Sequence, residues 1–401
     1  MHTAKVLHTL LSQSVPSIHG ARLRALVCAV DAIVHGARAN VTAIGRGLRG
    51  QVYDKHKIKR IDRLLSNPHL YKERGGLYRS IVDRLLWRID EPIILIDWSP
   101  LRADQHWQLL GASVPLGGQS VTLYEEVHPQ CDYGNRKVQH RFIDQIATFL
   151  PPHCRPIIVA DGGFKTPFFR YIENQHHGHW LGRVRGSLYL RQQTKSSQWF
   201  SVKSIFGKAT ARPTSLKVCE WVKSHPLFTW VVRYRKPGQC RKTLNTKGQK
   251  RRCERTRKPG QRETDPWILV ASLSLRTRTA KQIVYLYKTR MQIEPGFRDT
   301  KASEYGVTLS RYPSKNPDRR AILCLLVVCA LFMLWAMGVF AKDAGMIKQI
   351  RINSSSKRCP YPVIFMTRLL IKQHRLKCPS DVIERAVRNV QTYLTSVLLN
   401  G

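Results

Sequence analysis

The chain has 401 residues, 43% of them hydrophobic, which excludes a disordered polypeptide and leaves room for two or three domains around a sizeable core. Its 67 Lys and Arg outnumber 26 Asp and Glu, giving a net charge of +41. Such an excess repels itself unless a polyanion neutralises it. Nucleic acid fits that need, because many phosphate contacts release many counterions. An anionic membrane surface is the competing partner.

The opening "MHTAKVLHTLL" lacks the long apolar run and small-residue cleavage site of a secretory signal. The 10 cysteines form no C-x-x-C pair, so reduced thiols in a cytoplasmic protein are expected. Residues 1–88 read as helices, with Pro16 and Gly20 as punctuation. Within "KHKIKRIDRLLSNP", Ile58, Ile61, Leu64 and Leu65 form an apolar stripe, and Lys55, Lys57, Lys59, Arg60 and Arg63 cover the rest. That pattern suits either a solvated basic face or a helix laid on DNA. "GRGLRG" matches a dinucleotide-binding glycine pattern literally, but no apolar strand precedes it, so no nucleotide cofactor is expected.

At residue 91 the texture changes. "EPIILIDWS" is a continuous apolar strand ending in Asp97, and two more strands flank the turn Gly117-Gly118. "HRFIDQIATFL" reads as a helix, "RPIIVADGGF" as a second buried strand ending in Asp161, "KTPFFRYIENQ" as a helix and "WLGRVRGSLYL" as a strand. The order β-β-β-α-β-α-β predicts a mixed α/β sheet with helices packed on it. His176, His177 and His179 cluster in "ENQHHGHW", but no Cys pair completes a zinc site, and a polar loop is the reading. Two strands, "SLKVCEWV" and "FTWVVRYR", precede a dense Lys/Arg run in which "KPGQ" occurs twice. "DPWILVASLSL" returns to strand, and "TAKQIVYLYKTRMQIE" is a helix. The uncharged run Ala321–Ala341 is long enough to span a bilayer. It stands alone with positive residues on both sides, and is read as the buried central helix of a large soluble protein.

Asp97, Asp161 and Glu294 are the acids that invite chemistry in so basic a chain. The two aspartates end buried strands, where α/β sheets place their sites. Hard divalent cations such as Mg²⁺ prefer carboxylate oxygens and would supply the charge these acids lack. Two such ions about 3.5–4 Å apart serve both the attacking and the leaving oxygen of an in-line displacement. Taking residues 287–301 as one helix at about 100° per residue puts Arg290, Glu294 and Lys301 within about 60° of Tyr287, on one face. Pro295 disfavours helical geometry at Glu294 and puts that continuity under strain.

The spacing Y-x2-R-x3-E-x6-K, as Tyr287, Arg290, Glu294 and Lys301, resembles the insertion-sequence DDE transposases of family four. "KHKIKRIDRLLSNPHLYKER", "IDWSPLR", "SVTLYEEVHP", "IIVADGGFK" and "RMQIEPGFRDTK" resemble the branch typified by the tetracycline-resistance composite transposon. The resemblance implies an α/β, ribonuclease-H-like catalytic domain over 89–194 and 266–340, with a β-rich basic insertion at 195–265. A helical domain over 1–88 would bind inverted repeats, and a helical region over 341–401 would help two protomers pair. It further implies Asp97, Asp161 and Glu294 as catalytic ligands of two Mg²⁺ or Mn²⁺ ions. Tyr287, Arg290 and Lys301 would grip phosphates, and Trp267 would stack on a flipped base. The expected partners are double-stranded DNA, as transposon ends and target, and a second protomer in the paired-end complex. The expected location is the bacterial cytoplasm, with the nucleoid and away from any membrane.

Overall fold

The computed structural model describes residues 3–101, 106–185, 188–193, 198–237, 265–302, 306–309, 314, 316–350, 362–377 and 379–400. By their packing these fall into two compact units, Met1–Arg155 with Thr289–Ser396, and Pro156–Lys288 with Val397–Gly401.

The first unit begins with five helices, α1 (Thr3–Ser14), α2 (Gly20–Val34), α3 (Val41–Gly47), α4 (Asp54–Leu65) and α5 (Pro68–Leu86). Their starts are written in the sequence. Asn40 and Asn67 cap α3 and α5, each side-chain oxygen accepting from a backbone N–H three residues on. Pro68 then occupies the first turn, where its missing N–H costs no helical bond. Three antiparallel strands follow, β1 (Ile93–Pro100), β2 (Trp107–Pro115) and β3 (Ser120–Pro129), in the order β3-β2-β1. β2 and β3 join through Gly117 and Gly118, whose φ values of 71° and 100° suit glycine. α6 (Arg136–Phe149) closes this stretch.

The uncharged run lies within α10 (Pro317–Asp343), and its apolar stretch is entirely buried inside the fold. It packs on β3, α2, α4 and α5 and on α11 (Val363–Lys372). A helix apolar all round requires such a cover. Gly338 lets α11 approach: a Cβ there would stand 2.3 Å from Val363 Cγ1. α12 (Val382–Asn400) completes the C-terminal helices.

The second unit holds β4 (Ile157–Ala160), α7 (Thr166–His176), β5 (His179–Val184), β6 (Tyr189–Gln192), β7 (Phe200–Ser201), β8 (Thr214–Trp221), β9 (Leu227–Tyr234), β10 (Trp267–Ala271) and α8 (Ala280–Lys288). Its strands run in the order β4-β5-β10-β9-β8-β6-β7. Only β4 with β5 is parallel among the pairings described, as the short β4-α7-β5 crossover demands. The architecture is thus mixed α/β, with mostly antiparallel strands and flanking helices. "WLGRVRGSLYL" was expected as one strand, but β5 ends at Val184 and β6 begins at Tyr189. The Lys/Arg-dense segment 238–264 and its second "KPGQ" lie outside the described residues.

One expectation needs correction. Residues 280–301 are not one continuous helix. α8 stops at Lys288, a 3₁₀ turn spans Thr289–Gln292, and α9 runs from Ile293 to Lys301. Pro295 supplies the reason. It has no N–H to give a preceding carbonyl and restricts Glu294 before it, so the α ladder cannot run through this point. Placed in the first turn of a new helix, the same proline is tolerated. The 3₁₀ turn advances about 120° per residue rather than about 100°, so the single-face alignment with Tyr287 does not hold.

Candidate active site

β1 buries Ile93, Ile94, Leu95 and Ile96 completely and then leaves the core at Asp97. The polar end of an apolar strand is thereby delivered to the mouth of an open cleft of about 490 Å³. Its lining is Asp97, Trp98, Ser99, Glu294, Phe297, Arg298, Lys301 and Ala302. β1 gives the first three, and α9 with the residue after it gives the rest. Asp97 Oδ1 accepts the Trp98 amide at 2.9 Å. Arg290 joins the two acids: its Nη1 donates to Asp97 Oδ2 at 2.9 Å, and its Nη2 lies 3.5 Å from Glu294 Oε1. The Arg290 and Asp97 side chains are 9% and 16% exposed, whereas Glu294 is 56% exposed and open to the cleft. Lys301 reaches β1 from the far end of α9, donating to Ser99 Oγ at 2.6 Å and to the Pro100 carbonyl at 3.0 Å. Burial lowers the Lys301 ammonium, and nearby Glu125 and Asp97 work against that.

α9 is seated on the β2–β3 ladder. Phe297 covers Gly111, where a Cβ would stand 2.6 Å from Phe297 Cε1, and Gly296 lies over Ser120. Beneath it Thr300 Oγ1 donates to Glu125 Oε1 at 3.1 Å. Burial pushes the Glu125 carboxyl up to about 8 and that of Asp299, also on α9, up to about 7. Trp98 rests on a second polar group. Its ring meets those of His128 and Tyr133 at 5.7 and 5.6 Å, and His128 Nε2 lies 2.8 Å from Glu126 Oε2. Burial works against ionisation of Glu126, but His128, Tyr124 and Arg141 outweigh it and hold that carboxyl below its usual value.

Asp161 belongs to the second unit. It follows the buried β4, and its Oδ1 accepts the Gly163 amide at 2.6 Å in the turn after the strand. Tyr287 and Trp267 lie in that unit too. Both are buried, with ring centroids 5.1 Å apart at 75°, and Trp267 also meets Tyr234 at 5.7 Å. In this conformation Trp267 is a core side chain at the head of β10. On α4, Lys55, Lys59, Arg60 and Arg63 are exposed and Lys57 is half-buried, while Ile61, Leu64 and Leu65 face the core.

The structure therefore brings Asp97, Arg290, Glu294 and Lys301 to one cleft. Arg290, expected as a phosphate contact, lies between the two acids. Trp98 and Ser99 were not singled out from sequence, although adjacency to Asp97 in "IDWSP" was a usable signal. No group of three His, Cys, Asp or Glu side chains stands close enough to hold a metal among the described residues. The donor chemistry of the cleft still fits a hard cation: two carboxylates already share one positive group, and one of them faces the opening.

Asp97 on a buried strand and Glu294 on α9, joined by Arg290 at an open cleft in a mixed α/β fold of strong positive charge, form an arrangement compatible with phosphoryl transfer on nucleic acid. The family described as Transposase DDE domain matches residues 88–333, and the chain belongs to it. No curated protein matches. The fold is consistent with the ribonuclease-H-like arrangement of such transposases, and membership places the chain in DNA transposition, among enzymes that cut and join DNA with divalent metal.

Proposed function

We propose that this chain is a cut-and-paste transposase of insertion-sequence family four, and that Asp97, Asp161 and Glu294 are its catalytic acids. The observation that supports this reading best is the Arg290 bridge between Asp97 and Glu294 at an open cleft, with Lys301 beside it. In a chain of net charge +41 such acids are retained where they hold something cationic. Two Mg²⁺ or Mn²⁺ ions held by these carboxylates would supply a nucleophile at neutral pH and stabilise the leaving oxygen. The chain's own residues do the rest. Glu294 offers its carboxylate to the cleft, and Lys301 holds α9 to β1 with its ammonium near the phosphate path. Arg290 orients the Asp97 carboxylate.

The exposed cations of α4, within the helical region 1–88, suit the phosphates of an inverted repeat. By the same reading the strand cut at the element's end leaves a 3′-OH. That hydroxyl attacks the opposite strand to give a hairpin, which is reopened and joined to target DNA. One site serves each step because each is an in-line phosphoryl transfer. Two protomers pair two ends, with the C-terminal helices contributing to the pairing. The test is Mg²⁺-dependent cleavage of inverted-repeat DNA by Glu294→Ala. Cleavage is expected to disappear while end binding persists. Cleavage equal to that of the unaltered chain refutes the assignment and leaves a non-catalytic DNA-binding protein.

A further inference from the structure

The Glu294 carboxylate is only as well placed as α9. Two of the contacts beneath that helix are steric, Phe297 on Gly111 and Gly296 on Ser120. Steric seats limit approach but leave rotation soft. The third contact is directional. Thr300 Oγ1 donates to Glu125 Oε1 at 3.1 Å, with Thr300 fully buried and Glu125 2% exposed. Glu125 stands opposite Gly111 in the β2–β3 register, so the hydrogen bond and the Phe297 seat act on the same short stretch of ladder. Thr300 adjoins Lys301, whose ammonium bonds β1. A buried carboxyl is costly to keep in an apolar interior unless it does something there.

We infer that the Glu125–Thr300 hydrogen bond is a positioning device that fixes the rotation and depth of α9, and so the place of Glu294 relative to Asp97. The inference rests on the reading that those two acids carry the chemistry. Glu125 is a positioning residue that touches no reacting group. Its carboxyl faces Thr300 and Lys301 of α9, Tyr78 of α5 and Cys324 of α10. Burial raises the Glu125 acid to about 8, so at neutral pH it is an uncharged carboxyl, accepting from Thr300 with one oxygen. As pH rises through that value the buried carboxylate draws on the Lys301 ammonium, which otherwise bonds Ser99 and Pro100. The device then works against the grip of α9 on β1.

The experiment compares full-length Glu125→Gln, Glu125→Leu and Thr300→Val with the unaltered chain, using end DNA and varied Mg²⁺ and pH. Glu125→Leu and Thr300→Val are expected to lower the cleavage rate on the order of tenfold to a hundredfold, as loss of placement by up to an ångström does. They should also raise the Mg²⁺ concentration for half-maximal rate, with end binding unchanged. Glu125→Gln keeps the acceptor without the charge. It should cleave at the normal rate near neutral pH and lack the alkaline decline above about 8. Unaltered rate and Mg²⁺ dependence in folded Glu125→Leu and Thr300→Val overturn the inference. Should those two fail to fold, the glutamine variant decides: an alkaline decline matching that of the unaltered chain overturns it. A Glu294→Ala control that still cleaves overturns the site reading and this inference with it. Loss of cleavage in that control, with Glu125 and Thr300 variants unaffected, overturns this inference alone.

Discussion

Arg290→Ala removes the guanidinium that spans Asp97 and Glu294, and the consequences separate two ways of neutralising the same acids. The Arg290–Asp97 contact is 2.9 Å, with side chains 9% and 16% exposed. Breaking a buried pair by removing one partner costs about 3–5 kcal/mol, and partial exposure of Asp97 puts this case at the lower end, about 3 kcal/mol. The Glu294 contact adds little, because that side chain is 56% exposed and the distance is 3.5 Å. A divalent cation on the same carboxylates restores what the guanidinium supplied. A ligand at about 100 times its dissociation constant stabilises by about 2.7 kcal/mol. The assay is thermal melting with and without Mg²⁺. Without metal the variant should melt several degrees below the unaltered chain, and saturating Mg²⁺ should raise it by more than it raises the unaltered chain. Equal Mg²⁺ stabilisation of both would refute the claim that Arg290 and metal serve the same acids.

Two further outcomes follow from the geometry. Lys55, Lys59 and Arg63 lie four residues apart along one exposed face of α4. Replacing all three with alanine should lower the slope of log affinity for end DNA against log salt by about 2.7, at about 0.9 per lost phosphate contact; an unchanged slope removes α4 from the DNA interface. Pro295 sits in the first turn of α9, so Pro295→Ala should leave the cleavage rate unchanged; a large gain in rate would show that the proline impairs the site.

The reading of single residues shows where sequence suffices. Ile93–Ile96 and Ile157–Ala160 announced two buried strands, because burial on both faces demands an unbroken apolar run; Asp161 follows its strand directly, as expected, whereas β1 does not end at Asp97 but stays paired with β2 to Pro100. The helix Pro317–Asp343 was legible for a similar reason: only a buried environment or a bilayer suits such a run, and the fold buries it. What periodicity hid was the break at Thr289–Gln292. A proline can end one helix or open the next, and only the tertiary seat of α9 on Gly111 and Ser120 decides between them. The contact of Arg290 with Asp97 was not legible in the sequence, because that partner lies 193 residues away. Glu125 was passed over because an acid in a strand reads as solvent-facing until the helix that covers it is in place.

The central claim is that Asp97 binds catalytic metal, and ligand softness tests it directly. Asp97→Cys replaces a hard carboxylate with a thiolate, which accepts Mn²⁺ more readily than Mg²⁺. Cleavage of inverted-repeat DNA by this variant should vanish in Mg²⁺ and return in part in Mn²⁺, with end binding intact in both. Undiminished cleavage in Mg²⁺ would contradict the account.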